Sequence, residues 1–234
     1  MTIVIDKLGQ VQNRIAAACT AAGRPVQSVT LLAVSKTFAA DAVREAFAGG
    51  QRSFGENYVQ EALDKIAALA DLRSQLEWHL IGPLQSNKTR PVAAAFDWVQ
   101  SVDRLKIAQR LSEQRPAGLA PLQICLQVNI SGEASKSGLL PAELLAVAQA
   151  VAAMPRLRLR GLMSIPEPVA DLAAQRAPHR VLRELLAMLN AAGLALDTLS
   201  MGMSADLEAA VAEGATLVRV GTAIFGGRPL APAV

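Results

Sequence analysis

Val29-Thr-Leu-Leu-Ala-Val-Ser-Lys36-Thr37 is a run of apolar and β-branched residues long enough for one buried strand, and it ends in a lysine followed by the polar start of a helical pattern. If that strand belongs to a parallel barrel or a doubly wound sheet, its carboxyl end is where ligands bind. Lys36 then stands at the mouth of a site. Its position allows two readings: a solvated lysine closing a strand, or a Schiff-base residue whose neutral amine attacks a carbonyl. The residues that the rest of the chain brings to the same rim decide between them.

Outward from this strand the same alternation repeats. Upstream, residues 6–22 read as an extra helix, because Leu8, Val11, Ile15, Ala18 and Cys19 recur at three- and four-residue steps before Gly23 and Pro25 stop the pattern. Downstream, apolar strands are expected to end near Asn57, Ile81, Val102, Ile130, Met163, Gly202 and Gly221. Helical patterns follow them at 59–72, 92–95, 105–111, 141 onward, 172–191, 205–212 and 222–225. Asp103 reads as an N-cap and Pro141 as a first helical residue. With the helix at 39–48 after the opening strand, this makes about eight strand-helix units, the number a closed (β/α)8 barrel requires. The expected fold is therefore an α/β, TIM-type barrel with an extra N-terminal helix. No stretch has the composition of a linker, so residues 1–234 read as one domain. An open doubly wound sheet is the competing architecture, and no G-x-G-x-x-G run supports it.

Composition narrows the function classes. With 52% hydrophobic and 18% charged residues the chain is globular, and with 3% aromatics it lacks a base-stacking surface. The net charge of +3 is mild. The short cluster Arg156-Leu-Arg158-Leu-Arg160 reads as a strand with its arginines outward on a solvated face and no nucleic-acid role. Cys19 and Cys125 have neither disulfide-framework nor zinc spacing and read as small buried hydrophobes of a reducing compartment. The start Met1-Thr-Ile-Val-Ile-Asp-Lys7 is unlike a signal peptide, and no apolar stretch is long enough to span a bilayer. A cytoplasmic protein with no membrane partner is expected.

In a parallel barrel the strand carboxyl ends share one rim. That rim would gather Lys36, Glu56 with Asn57, His79, Ser101, Asn129, Met163 with Ser164, Ser200 with Gly202, and Gly221 with Thr222. Gly202 and Gly221-Thr222 follow the last two strands, where backbone N–H groups attract a phosphate in this fold, and Ser200 and Thr222 add hydroxyls. Plain tight turns are the alternative for these glycines. Arg219 lies in a strand that should be buried, so it needs a partner: a carboxylate such as Glu208 or Glu213, or a ligand acceptor. His79 reads as a satisfied core histidine and His179 as a residue of an exposed helix, so no metal site is expected. Asp206, Glu208 and Glu213 read as solvated or capping residues with no catalytic role.

Six segments carry a resemblance: AVSKT around Lys36, FGENYVQEA from Phe54, WHLIGPLQSNK from Trp78, QVNISGEASKSG from Gln127, GLMSIP from Gly161, and LSMGMSADLEAAVAEGATLVRVGTAIFG from Leu199. In their order and spacing they resemble the pyridoxal phosphate homeostasis protein family, whose fold is similar to the barrel domain of bacterial alanine racemase. The resemblance implies pyridoxal 5′-phosphate as cofactor, held as a Schiff base on Lys36. It implies phosphate-binding positions at Ser200, Gly221 and Thr222, an arginine facing the pyridine nitrogen at Arg219, and Asn57 lining the pocket. Met163, Met201 and Met203 would make apolar contacts around the ring, and no catalytic residue is implied.

The chemistry of these residues limits what the site does. A guanidinium only donates hydrogen bonds, so Arg219 can serve only an unprotonated ring nitrogen, which makes the cofactor a weaker electron sink. No second domain is evident that would supply a base to the other face, and a monomer is expected. The reading is thus a pyridoxal phosphate binding protein of vitamin B6 homeostasis without robust catalysis, with apo-enzymes that need the cofactor as partners. Two alternatives stand beside it: a pyridoxal-phosphate-dependent amino-acid racemase of weak or narrow activity, and a cofactor-free barrel that binds RNA or protein.

Overall fold

The computed structural model describes residues 2–132 and 137–227. The part of QVNISGEASKSG at 133–136, and the Gly/Pro-rich tail beyond Gly227, lie outside the described residues.

Eight parallel strands close into a barrel in chain order. They are β1 (Thr30–Val34), β2 (Ser53–Glu56), β3 (Glu77–Leu80), β4 (Trp98–Val102), β5 (Leu122–Gln127), β6 (Leu157–Met163), β7 (Thr198–Ser200) and β8 (Leu217–Val220). The helices between them are α2 (Ala40–Ala48), α3 (Val59–Ala68), α4 (Thr89–Ala95), α5 (Leu105–Gln114), α6 (Leu144–Ala152), α7 (Leu172–Ala191) and α8 (Leu207–Ala212), and the short α9 (Thr222–Phe225) follows β8. The extra helix α1 (Ile3–Ala21) buries Leu8, Val11, Ile15, Ala18 and Cys19 and packs on α2, α8 and α9, covering the region where the barrel closes.

Alternation along the strands separates two interiors. Leu31, Ala33, Trp78, Leu80, Val99, Ile124, Leu126, Val218 and Val220 face the helices and form the main core. The other face of each strand points to the barrel axis. There Leu32, Val34, Ile81 and Leu217 form one small apolar cluster, and Trp98, Cys125 and Met163 another. Between them the axis is polar: His79, Gln100, Ser200 and Arg219 are all buried. Barrels of this kind ordinarily fill the axis with branched aliphatic layers, so these four side chains mark where packing has given way to another requirement.

Several expectations need correction. Asp103 is not a cap; Arg104 holds that position without a side-chain cap, and the Asp103 carboxylate accepts from Arg104 instead. Pro141 opens a 3-10 turn, with α6 starting at Leu144. The solvated arginine face holds only in part: Arg158 is exposed, but Arg160 is half-buried. Leu157 and Leu159 take the helix side, so the two arginines alternate to the axis side and line a cleft at the amino-terminal mouth. There Arg160 stacks over Trp98 and pairs with Asp197 at 2.8 Å.

His179 is fully buried, and its Nε2 lies 2.9 Å from Asp206 Oδ2, because α7 turns that face against α8. Glu213 is not solvated either. It is buried among Arg176, Arg180 and Arg183 of α7. Its carboxyl lies below the ordinary carboxylate range: burial alone would raise it, but the hydrogen bonds from Arg180 and Arg176 prevail.

Candidate functional site

The seam where the barrel closes sets the site. Thr30 to Ala33 of β1 pair with Leu217 to Val220 of β8, with Leu32 beside Arg219 and Ala33 beside Val220. Residues about 180 positions apart in the chain are thereby neighbours at the carboxyl rim, Lys36 just beyond β1 and Gly221-Thr222 just beyond β8. A Cβ on Gly221 would lie 2.9 Å from the Val34 carbonyl oxygen, so only glycine lets the two strand ends meet this closely.

Lys36 is half-buried, and its ammonium has no hydrogen-bond or ion-pair partner among the described residues. Its backbone, by contrast, is held on both sides. Lys65 of α3 donates to the Ser35 carbonyl at 2.8 Å, Ser35 Oγ donates to Glu56 Oε1 at 2.6 Å, and the Thr37 N–H donates to Glu61 Oε1 at 2.6 Å. Thr37 adopts φ of 67°, a left-handed conformation costly for a β-branched residue, which this clamp sustains. Lys65 also pairs with Glu56 at 2.6 Å and with Glu61 at 2.9 Å. Burial pushes the Glu56 carboxyl up despite Lys65. A buried ionic cluster thus fixes the base of the strand end while Lys36 projects from it unpaired.

Arg219 has neither of the expected carboxylate partners. Glu208 pairs with Arg14, and Glu213 with the α7 arginines. Instead Arg219 Nη1 donates to Ser200 Oγ and Nη2 to the Ser164 carbonyl, each at 2.8 Å. Burial pushes the guanidinium down to about 10, against the field of Asp206. It stays cationic at neutral pH, and two of its five N–H groups serve these bonds, which leaves donors for a ligand.

Ser200 is fully buried, and its hydroxyl donates to Gln100 Oε1 at 2.6 Å while it accepts from Arg219. Asn57 follows β2 on the same rim. A Cβ on Gly82 would fall 2.1 Å from the Asn57 carbonyl oxygen, so that glycine lets the Asn57 loop settle. Asn57 Oδ1 and Ser164 Oγ are buried without a hydrogen-bond partner among the described residues. Both residues line a cleft of about 750 Å³ over the β2–β3–β5–β6 side of the rim, together with Ile81, Val128 and Ile165. Lys36, Ser200, Arg219, Gly221 and Thr222 are not in its lining; they stand at the axis and the seam.

Met163 packs on the axis beside Trp98 and Cys125, whereas Met201 joins the main core on the helix side, away from the axis. Burial pushes the Cys125 thiol up to about 12, so it is an inert apolar residue. Among the described residues no three metal-ligating side chains come together.

Sequence reasoning missed Gln100 and Lys65, and it put Glu56 on the rim without its buried partners Lys65 and Ser35. Gln100 and Glu56 carried a signal, a polar side chain inside a strand buried on both faces. Lys65 looked like any helix lysine, because nothing local distinguishes it from a solvated one.

Residues 7–229 match the family described as alanine racemase, N-terminal domain. A pyridoxal phosphate homeostasis protein from Pseudomonas aeruginosa is 65% identical over 228 residues, spanning 97% of each chain. Another from Escherichia coli K12 is 54% identical over 229 residues, spanning 97% of this chain and 98% of its own. The chain belongs to the pyridoxal phosphate homeostasis protein family. Among solved structures similar to this family member is PipY of Synechococcus elongatus PCC7942 with PLP bound. It is 41% identical with a TM-score of 0.83, covering 95% of this chain and 100% of that one.

Proposed function

We propose that this barrel holds pyridoxal 5′-phosphate and takes part in keeping that cofactor available in the cell. The observation that carries the reading is the β1–β8 seam, which places the unpaired Lys36 beside Gly221-Thr222 and one strand from the cationic Arg219. The residues fit the cofactor on the structure's own terms. Among the described residues the Lys36 ammonium lacks a partner and the buried Asn57 Oδ1 and Ser164 Oγ have unmet hydrogen-bonding capacity, and a Cβ at Gly221 would crowd the strand junction. The PLP-bound relative and the names of the curated relatives support the same ligand.

When bound, the cofactor supplies an aldehyde that condenses reversibly with an amine, on a ring able to draw electrons. Lys36 would provide the amine. Arg219 would hold the ring nitrogen and, being donor-only, would favour its unprotonated form. Gly221 and Thr222 would hold the phosphate through N–H and hydroxyl groups. The Ser200 proton is engaged by Gln100, so Ser200 serves the site by holding Arg219. Asn57 would border the site from the adjoining cleft on the β2–β3 side.

The same arrangement favours binding over turnover, since a ring nitrogen left unprotonated beside a donor-only guanidinium is a weaker electron sink for racemisation than a pyridinium. The proposed protein is one 1–234 barrel domain, cytoplasmic and monomeric, that exchanges its cofactor with apo-enzymes. Among its described residues no helix is long and apolar enough to cross a membrane.

The match to the alanine racemase family supports one second reading, a pyridoxal-phosphate-dependent amino-acid racemase. Incubating the PLP-loaded protein with each L-amino acid and resolving the enantiomers decides between them. The carrier reading expects no D-enantiomer above the free-cofactor rate. Turnover that disappears in Lys36→Ala would establish the racemase.

A further inference from the structure

Four hydrogen bonds cross the barrel axis from β8 to β3. Arg219 Nη1 meets Ser200 Oγ at 2.8 Å, Ser200 Oγ meets Gln100 Oε1 at 2.6 Å, Gln100 Nε2 meets His79 Nδ1 at 2.8 Å, and His79 Nε2 meets Glu77 Oε1 at 2.7 Å. The four residues from Arg219 to His79 come from four strands and are at most 4% exposed. His79 also stacks on Trp98 of the adjacent strand at 5.1 Å, which fixes its ring plane.

The direction of this chain is dictated by its ends. A guanidinium only donates and an ionised carboxylate only accepts. Ser200 must therefore accept from Arg219, and its own proton goes to Gln100 Oε1. The Gln100 amide then has only N–H to offer His79, so Nδ1 accepts and Nε2 carries the hydrogen toward Glu77. Reversing the amide would aim two donors at one hydroxyl oxygen and strand the Ser200 proton. Glu77, half-exposed at the opposite mouth, suits the accepting end. Burial alone would raise its carboxyl, but hydrogen bonds from His79, Trp98 and Ser53 hold it below the ordinary range.

We propose that Gln100 and His79 are positioning residues of the cofactor site: with Glu77 they set the polarity of a buried chain that orients Ser200 and, through it, the Arg219 guanidinium. The proposal rests on the seating of the ring nitrogen at Arg219 argued above. A misdirected or missing bond inside so buried a network costs more than one at the surface, so the ends of the chain are coupled.

The test has two arms. In the unmodified protein at neutral pH, nitrogen-proton NMR of the His79 ring is expected to show hydrogen on Nε2 and a bare Nδ1. Hydrogen on Nδ1 overturns the proposal whether or not any variant folds. In the second arm PLP is titrated into wild type, Gln100→Leu, His79→Leu and His79→Asn, with circular dichroism confirming the fold.

Both leucine variants are expected to shift the cofactor absorption band and weaken PLP binding about tenfold, the effect of one misdirected bond. His79→Asn, whose amide oxygen stands near the place of Nδ1, recovers most of the wild-type spectrum. Wild-type spectra and affinities in the leucine variants, or a His79→Asn shift as large as that of His79→Leu, would overturn it. Failure of the wild type itself to take PLP would instead sink the cofactor reading.

Discussion

Lys65 Nζ lies 2.8 Å from the carbonyl oxygen of Ser35, so a lysine buried under the rim anchors the residue that precedes the lysine on the rim. The same ammonium neutralises Glu56 at 2.6 Å, and both side chains are at most 4% exposed. The clamp and the free amine are thus two lysines meeting at one strand end, Lys65 from α3 and Lys36 just beyond β1, with opposite environments.

Removing the buried one should be the more damaging change. Lys65→Met leaves Glu56 without its cation and is expected to cost about 3–5 kcal/mol of stability in urea denaturation. Adding Glu56→Gln to it should recover part of that loss, since the stranded charge is gone. Equal stability of the single and double variants would mean that Glu56 takes up a proton and needs no partner.

Lys36→Ala should change stability by no more than about 0.5 kcal/mol, because a half-buried side chain with no partner among the described residues packs against little. A large drop in the thermal midpoint would place Lys36 in the structural clamp.

Gly221→Ala is expected to push the β8 end away from β1, since the added Cβ meets the Val34 oxygen at 2.9 Å and its Cβ at 3.3 Å. The overpacking should cost about 1–3 kcal/mol and weaken PLP binding in the same variant. Retained PLP affinity would show that the phosphate does not use this junction.

Acid should unfold the protein through its buried carboxylates. In Glu213 and Asp206 burial favours the neutral form, but arginines on Glu213 and His179 with the Met203 N–H on Asp206 prevail and hold both below the ordinary range. The folded values lie under the unfolded ones, so the stabilisation is full above about pH 4.5 and is lost as pH falls through the folded values. Urea midpoints should therefore drop steeply below about pH 4, and less steeply in Glu213→Gln. Parallel curves for the two proteins would remove Glu213 from this account.

How much of this was legible in the chain depended on whether the cause was local. The eight strands, and α7 to the residue, follow from apolar runs and periodicity that each segment carries in itself. The rim position of Lys36, Asn57, Ser200 and Gly221 follows from strand ends once the barrel is assumed. His179 and Glu213 were misread because burial of a helix face is decided by what packs on it, here α8 against α7. The carboxylate partners offered for Arg219 fail for a similar reason. Carboxylates nearby in sequence point elsewhere, while Ser200 and the Ser164 carbonyl reach it across the barrel.

The central claim is that Lys36 holds the cofactor, and covalent trapping tests it most directly. The purified protein is incubated with PLP, reduced with borohydride and digested, and the peptides are weighed. The account predicts that the reduced cofactor adds to the peptide carrying Lys36, and that Lys36→Ala, with an unchanged circular dichroism spectrum, takes up none. A label spread over other lysines, or retained at full yield in Lys36→Ala, would contradict it.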